Sequence, residues 1–108
     1  MELDDAVKDH MALFNTCVRS GDWAPFVATF TEDARMTVVN APTGTLVGRE
    51  EIAAMYASRP PAEPMRLLAL DTVDGETVAV RFAWESGRES SMVVCWRGDA
   101  VRGVELTL

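Results

Sequence analysis

The 108-residue chain holds one histidine, His10, one tyrosine, Tyr56, and two cysteines, Cys17 and Cys95. Imidazole is the side chain whose ordinary pKa lies near neutrality, so His10 is the natural general base or hydrogen-bonding group. Tyr56 offers a hydroxyl to a ligand, Asn40 an amide that donates and accepts, and Arg102 a cation for an acidic group. Each has a plainer use as well. A helix histidine can be bonded at the core edge, a tyrosine can pack as core, an asparagine can open a turn, and an arginine stem can lie along a sheet end. No His/Cys spacing suits a metal, no glycine-rich loop could cradle phosphate, and no Ser–His–Asp set falls in workable positions. The sequence therefore predicts no metal and no cofactor.

Charge and composition exclude further classes. Acidic residues number 17 against 10 basic ones, a net charge of −7, and the basic residues are scattered rather than clustered. Nucleic-acid binding needs a basic patch, so none is expected. Apolar residues make up 48% and charged ones 25%, which is globular composition. The longest apolar runs are about five residues, such as Met92-Val93-Val94-Cys95-Trp96, so no membrane span is predicted. The acidic start Met1-Glu2-Leu3-Asp4-Asp5 is unlike an export signal. With two cysteines in segments of different type, the expected setting is reducing and cytoplasmic.

The elements that must position these groups read as three helices and then strands, a single α+β domain over residues 1–108. Leu3, Val7, Met11, Phe14, Cys17 and Val18 recur at helical period, with Ala6 and His10 on the same stripe, until Ser20-Gly21 stops the pattern. A short helix follows Asp22, a plausible N-cap, with Pro25 in its first turn, and would bury Trp23, Phe26, Val27 and Phe30. After Thr31-Glu32-Asp33 the pattern alternates, with Met36, Val38 and Asn40 on one face. Ala41-Pro42-Thr43-Gly44 turns the chain into Thr45-Leu46-Val47. Gly48 opens a third helix carrying Ile52, Met55 and Tyr56, which Pro60-Pro61 ends. Four antiparallel strands are expected at Met65–Thr72, Thr77–Glu85, Ser90–Arg97 and Val101–Leu108.

The expected register pairs Phe82 with Met92, Val80 with Val94 and Val78 with Trp96, around a Ser86-Gly87-Arg88 loop. A three-residue Gly98-Asp99-Ala100 loop then pairs Val94 with Val104 and Met92 with Leu106. One face becomes apolar and needs helices over it, with Arg102 turned inward beside Trp96. The other face, with Ala79, Ala83, Val93, Cys95 and Val101, is more apolar than a solvated sheet needs, which predicts a homodimer through it.

Gly21-Asp22-Trp23, Phe30-Thr31-Glu32-Asp33-Ala34, Gly48-Arg49-Glu50-Glu51-Ile52 and Tyr56-Ala57, in that order before a four-strand tail, resemble the nuclear transport factor 2-like superfamily, in its SnoaL-like and ketosteroid-isomerase-like branch. The resemblance implies a cystatin-like cone: three N-terminal helices packed on a curved antiparallel sheet around an apolar cavity, with frequent homodimers. It does not imply one activity. Transferring the isomerase residues puts Phe14 where a donor Tyr would stand, Val38 where the base Asp would stand, and Met92 where the protonated Asp would stand. Phe gives no hydrogen bond and Val takes no proton, so that chemistry is not expected.

The leading expectation is a domain that binds a small apolar or aromatic ligand in its cone, with no assigned chemistry. Its lining is read as His10, Phe14, Val38, Asn40, Met55, Tyr56, Phe82, Trp84, Met92 and Val94. One alternative is a cyclase, isomerase or hydrolase that uses His10. Another is an interaction or structural module whose cavity is filled by its own side chains.

Overall fold

A computed structural model describes residues 2–108. Helix α1 (Leu3–Ser20) buries Ala6, Val7, Met11, Phe14 and Cys17, the stripe its periodicity marks, and carries Asp4 and Asp5 in the first turn where the helix dipole favours them. It ends because Gly21 adopts φ 77° and returns its N–H to the Cys17 carbonyl, a left-handed cap that suits glycine. Helix α2 (Ala24–Val27) is a single turn. The N-cap is Trp23 rather than the expected Asp22, whose carboxylate lies one residue earlier and accepts from the Ala24 N–H at 3.1 Å. Phe30 does not extend this helix but starts β1 (Phe30–Val39), and both Phe26 and Phe30 are buried. Strand β2 (Gly44–Val47) folds back on β1, and Gly48, at φ 91°, leads into α3 (Arg49–Ser58). The Glu51 carboxylate reaches back to the Val47 N–H at 2.9 Å, which fixes that entry.

Strands β3 (Met65–Thr72), β4 (Thr77–Trp84), β5 (Glu89–Arg97) and β6 (Ala100–Thr107) complete a six-stranded sheet in the order β2-β1-β6-β5-β4-β3. The meander from β3 to β6 is antiparallel, as is β1 with β2. Strand β1 lies parallel to β6, with Met36 opposite Val104 and Val38 opposite Leu106, so the first and last strands meet mid-sheet. The helices cover one face of this sheet. Between them lie Val78, Val80, Phe82 and Trp84 of β4, Met92, Val94 and Trp96 of β5, and Val101 of β6, all buried.

Register departs from expectation in two places, each for a turn-chemistry reason. The β4–β5 pairs are Val80 with Met92 and Val78 with Val94, two residues away from the expected ones. The loop is Glu85-Ser86-Gly87, closed by the Trp84 N–H donating to the Arg88 carbonyl at 2.8 Å. A three-residue hairpin wants its left-handed residue last, and Gly87 at φ 95° supplies it there rather than mid-loop. Because the slip is by two, every side chain keeps its face.

Between β5 and β6 the expected pairs Val94–Val104 and Met92–Leu106 are observed, but the loop is Gly98-Asp99 with Arg97 opposite Ala100. A bulge between Cys95 and Trp96 restores the register. Its extra residue is Arg102, which therefore does not point inward: it is exposed and pairs with Glu76 at 3.6 Å. Val101 makes the opposite exchange, leaving the outward face to become fully buried. Ala83, also expected on that face, is buried as well.

Candidate functional site

The cone encloses a cavity between α1, α2, α3 and the sheet. Met11, Phe14 and His10 of α1, Phe26 of α2 and Tyr56 of α3 form the helical wall. Phe30 and Met36 of β1, Met65 of β3, Met92 and Val94 of β5, and Val104 and Leu106 of β6 form the sheet wall. Four of these residues are methionines, whose unbranched thioethers fill irregular space. The free volume left is about 40 Å³. Ordinary small-molecule sites run to roughly 300–1,000 Å³, whereas one water needs only on the order of 15 Å³. The cone is thus mostly occupied by its own side chains.

Two polar groups belong to this wall. His10 stacks on Phe26 with ring centroids 4.6 Å apart and meets the edges of Phe30 and Trp96 at 5.8 and 5.6 Å. Its Nε2 lies 3.0 Å from the Thr29 hydroxyl, which itself donates to the Phe26 carbonyl at 2.6 Å. A threonine has one hydroxyl proton, and that proton is committed, so Nε2 must be the donor to Thr29. His10 is therefore the Nε2–H tautomer, with Nδ1 as its free acceptor. Burial among these rings disfavours the imidazolium and brings the pKa down to about 4.

Tyr56 is buried, and burial raises its phenol pKa far above the usual range. Its hydroxyl donates only to the Met36 thioether at 4.0 Å, a weak acceptor. Trp23 stacks on the Tyr56 ring at 4.7 Å.

Among the described residues no carboxylate lines the cavity, and no group of three His, Cys, Asp or Glu side chains could hold a metal ion. Acid–base work by paired carboxylates has no residues here to carry it. His10 is a weak base in this packing, since burial lowers the pKa of its conjugate acid to about 4, and its Nε2 bonds Thr29 while Nδ1 stays free.

The structure brings His10, Phe14, Tyr56, Met92 and Val94 together on the cavity wall. The other residues read as lining lie elsewhere. Phe82 is fully buried in the sheet–helix packing, edge-on to Trp84 at 5.2 Å. Trp84 donates its indole N–H to Ser90 at 2.9 Å and carries the Arg88 guanidinium 5.9 Å over its ring. Met55 packs against the margin of the core, and Val38 sits beyond Met36 toward the strand end, opposite Gly44 and Leu106. Asn40 is exposed at φ 61°, a left-handed turn conformation that asparagine tolerates, and it does not reach the cavity wall. Sequence reasoning missed Thr29, because nothing local marks a hydroxyl that will meet a histidine 19 residues earlier. Met65 and Leu106 become lining only through the closing of the sheet.

The geometry defines a helix-capped cone with a nearly filled apolar interior. A family model for the SnoaL-like domain matches residues 7–102, and the chain belongs to that family. No curated protein matches it significantly by sequence. Among solved structures, the epoxide hydrolase/cyclase-like enzyme SalBIII of salinomycin pyran-ring formation is similar at TM-score 0.73 and 19% identity, over 99% of this chain and 93% of that one. An NTF2-like protein from Cytophaga hutchinsonii superposes at 0.73 and 11% identity, over 98% and 88% of the two chains. A SnoaL-like protein from Burkholderia thailandensis does so at 0.73 and 14%, over 94% and 92%. At these identities the likeness is one of fold, which is the nuclear transport factor 2-like cone.

Proposed function

We propose that the protein binds a small, mainly apolar molecule in its cone, one bearing a single acceptor oxygen such as a ketone. The observation that carries this reading is Tyr56: a buried hydroxyl on an apolar wall whose partner is a thioether 4.0 Å away. A carbonyl oxygen is a better acceptor than that sulfur, so a ligand that supplies one improves on the free state. Met11, Met36, Met65 and Met92 supply walls that can re-pack to admit it. Thermal shift and calorimetric titration with cyclohexanone and cyclohexane test the proposal. Cyclohexanone is expected to bind roughly two- to tenfold more tightly, the range of one neutral hydrogen bond, and Tyr56→Phe is expected to erase the difference. A ketone preference that survives in Tyr56→Phe would remove Tyr56 from the site.

The cavity volume of about 40 Å³ favours a second reading, a structural or interaction module with a self-filled cone. That reading stands if neither compound raises the melting temperature at millimolar concentration. Two further parts of the proposal are a homodimer through the outward sheet face and a reducing cytoplasmic setting. The setting is supported by Cys17 and Cys95, both free thiols. No helix among the described residues is long and apolar enough to cross a membrane.

A further inference from the structure

Outside the cone, an apolar groove lies between α2 and α3. Trp23 and Tyr56 form its floor, Ala24 and Val27 one bank, and Ala53 and Ala57 the other, and its volume is about 550 Å³. That volume falls within the ordinary small-molecule range, which the cone's 40 Å³ does not. Four of its lining residues, Ala24, Ala28, Ala53 and Ala57, are alanines, whose short side chains leave it room. It carries one charged lining residue, Arg49, at the start of α3. In a chain of net charge −7, the single charge on this apolar surface is a cation.

Arg49 is also free to change partners. Its guanidinium meets Glu32 at 3.5 Å, but the Glu32 side chain is 92% exposed, so water and salt weaken that pair. A carboxylate held beside the apolar groove would be less screened than Glu32 and could accept two parallel N–H bonds from the guanidinium fork.

We propose that the α2–α3 groove is a binding site for an amphipathic carboxylate, with the alkyl chain over Trp23, Val27 and Ala57 and the head group on Arg49. This goes beyond the cone reading and does not depend on it. Trp23 on the floor gives a fluorescence signal for occupancy.

The test titrates the intact protein with octanoate, octan-1-ol and octylamine, each below its micelle-forming concentration, in low salt. Octanoate is expected to bind about fivefold more tightly than octanol, the upper end for a partly exposed ion pair, and octylamine most weakly. Arg49→Gln is expected to bring octanoate to the level of octanol and to leave octanol unchanged. Ala57→Trp places bulk in the groove from an exposed position, so the fold is preserved, and binding of both should fall at least tenfold. Equal binding of all three compounds, or an octanoate preference that survives Arg49→Gln, would overturn the head-group assignment. Undiminished binding in Ala57→Trp would place the ligand elsewhere and overturn the site.

Discussion

His10 is held neutral by the packing that makes it useful as a wall. Its ring fills space among Phe26, Phe30 and Trp96, and its one defined hydrogen bond runs to Thr29. Protonating it would bury a charge without a counter-ion inside that packing. Asp9 and Asp99 share a shallow cleft with its other edge, yet desolvation wins and the pKa falls to about 4. The unfolded chain titrates near 6.5, so between those values the unfolded state binds more protons and stability falls as pH falls. The full loss is about 3 kcal/mol once pH is below 4. Exposed Asp33, Glu63 and Asp74, whose carboxyls are pulled below their ordinary values of 3.8, 4.5 and 3.8 by hydrogen bonds from Thr31, Ser86 and Glu76, begin to lose stabilisation as pH falls through those values, at the acid end of the same range. Urea melts from pH 7 to pH 4 should therefore show a decline that His10→Gln flattens, since glutamine can donate to Thr29 but does not titrate. A slope unchanged in His10→Gln would assign the decline to other groups.

At the scale of elements, α1 is tied to the sheet by a clamp as well as by its apolar stripe. The Asn15 amide donates to the Met65 carbonyl and accepts from the Met65 N–H, both at 2.8 Å, as a neighbouring strand would. The side chain thereby satisfies the start of β3, which is an edge strand. Asn15→Ala leaves both Met65 groups without these partners and should cost about 1–3 kcal/mol in chemical denaturation. Asn15→Asp should cost more, because a carboxylate cannot donate to the carbonyl and repels it; equal losses in the two variants would mean that the clamp is not a donor–acceptor pair. Nothing in the sequence marked Asn15, since its partner lies 50 residues away. What could be read was local: the α1 stripe, the Gly21 stop and the alternation of β4 to β6 all depend on neighbours in the chain. Arg102 and Val101 were misplaced because a bulge, not the loop length, sets the last hairpin's register. The cavity volume was illegible for a related reason, since it depends on how twelve side chains from seven elements meet.

For the whole molecule, the helices leave the outward sheet face to solvent, where Ala79, Val93 and Cys95 lie across β4 and β5. Val93 is 37% exposed there, and the departure of Val101 and Ala83 makes the apolar area smaller than the sequence suggested. Arg81 and Glu105 give the face both signs of charge, so a two-fold pairing that sets each against its opposite can match them. Opposing that pairing is the repulsion of two protomers each carrying −7. Repulsion between exposed charges reaches about 30 Å at 0.01 M salt but only about 8 Å at 0.15 M. If the face mediates a homodimer, association should strengthen as salt rises, the reverse of an interface held by ion pairs. Light scattering on size-exclusion peaks at tens of micromolar should then show a mass moving toward twice the protomer's as salt increases. Val93→Glu, which adds a carboxylate to the centre of the patch, should hold the protein monomeric at every salt concentration. A wild-type monomer throughout that range would remove the homodimer and leave the outward face as a solvated surface.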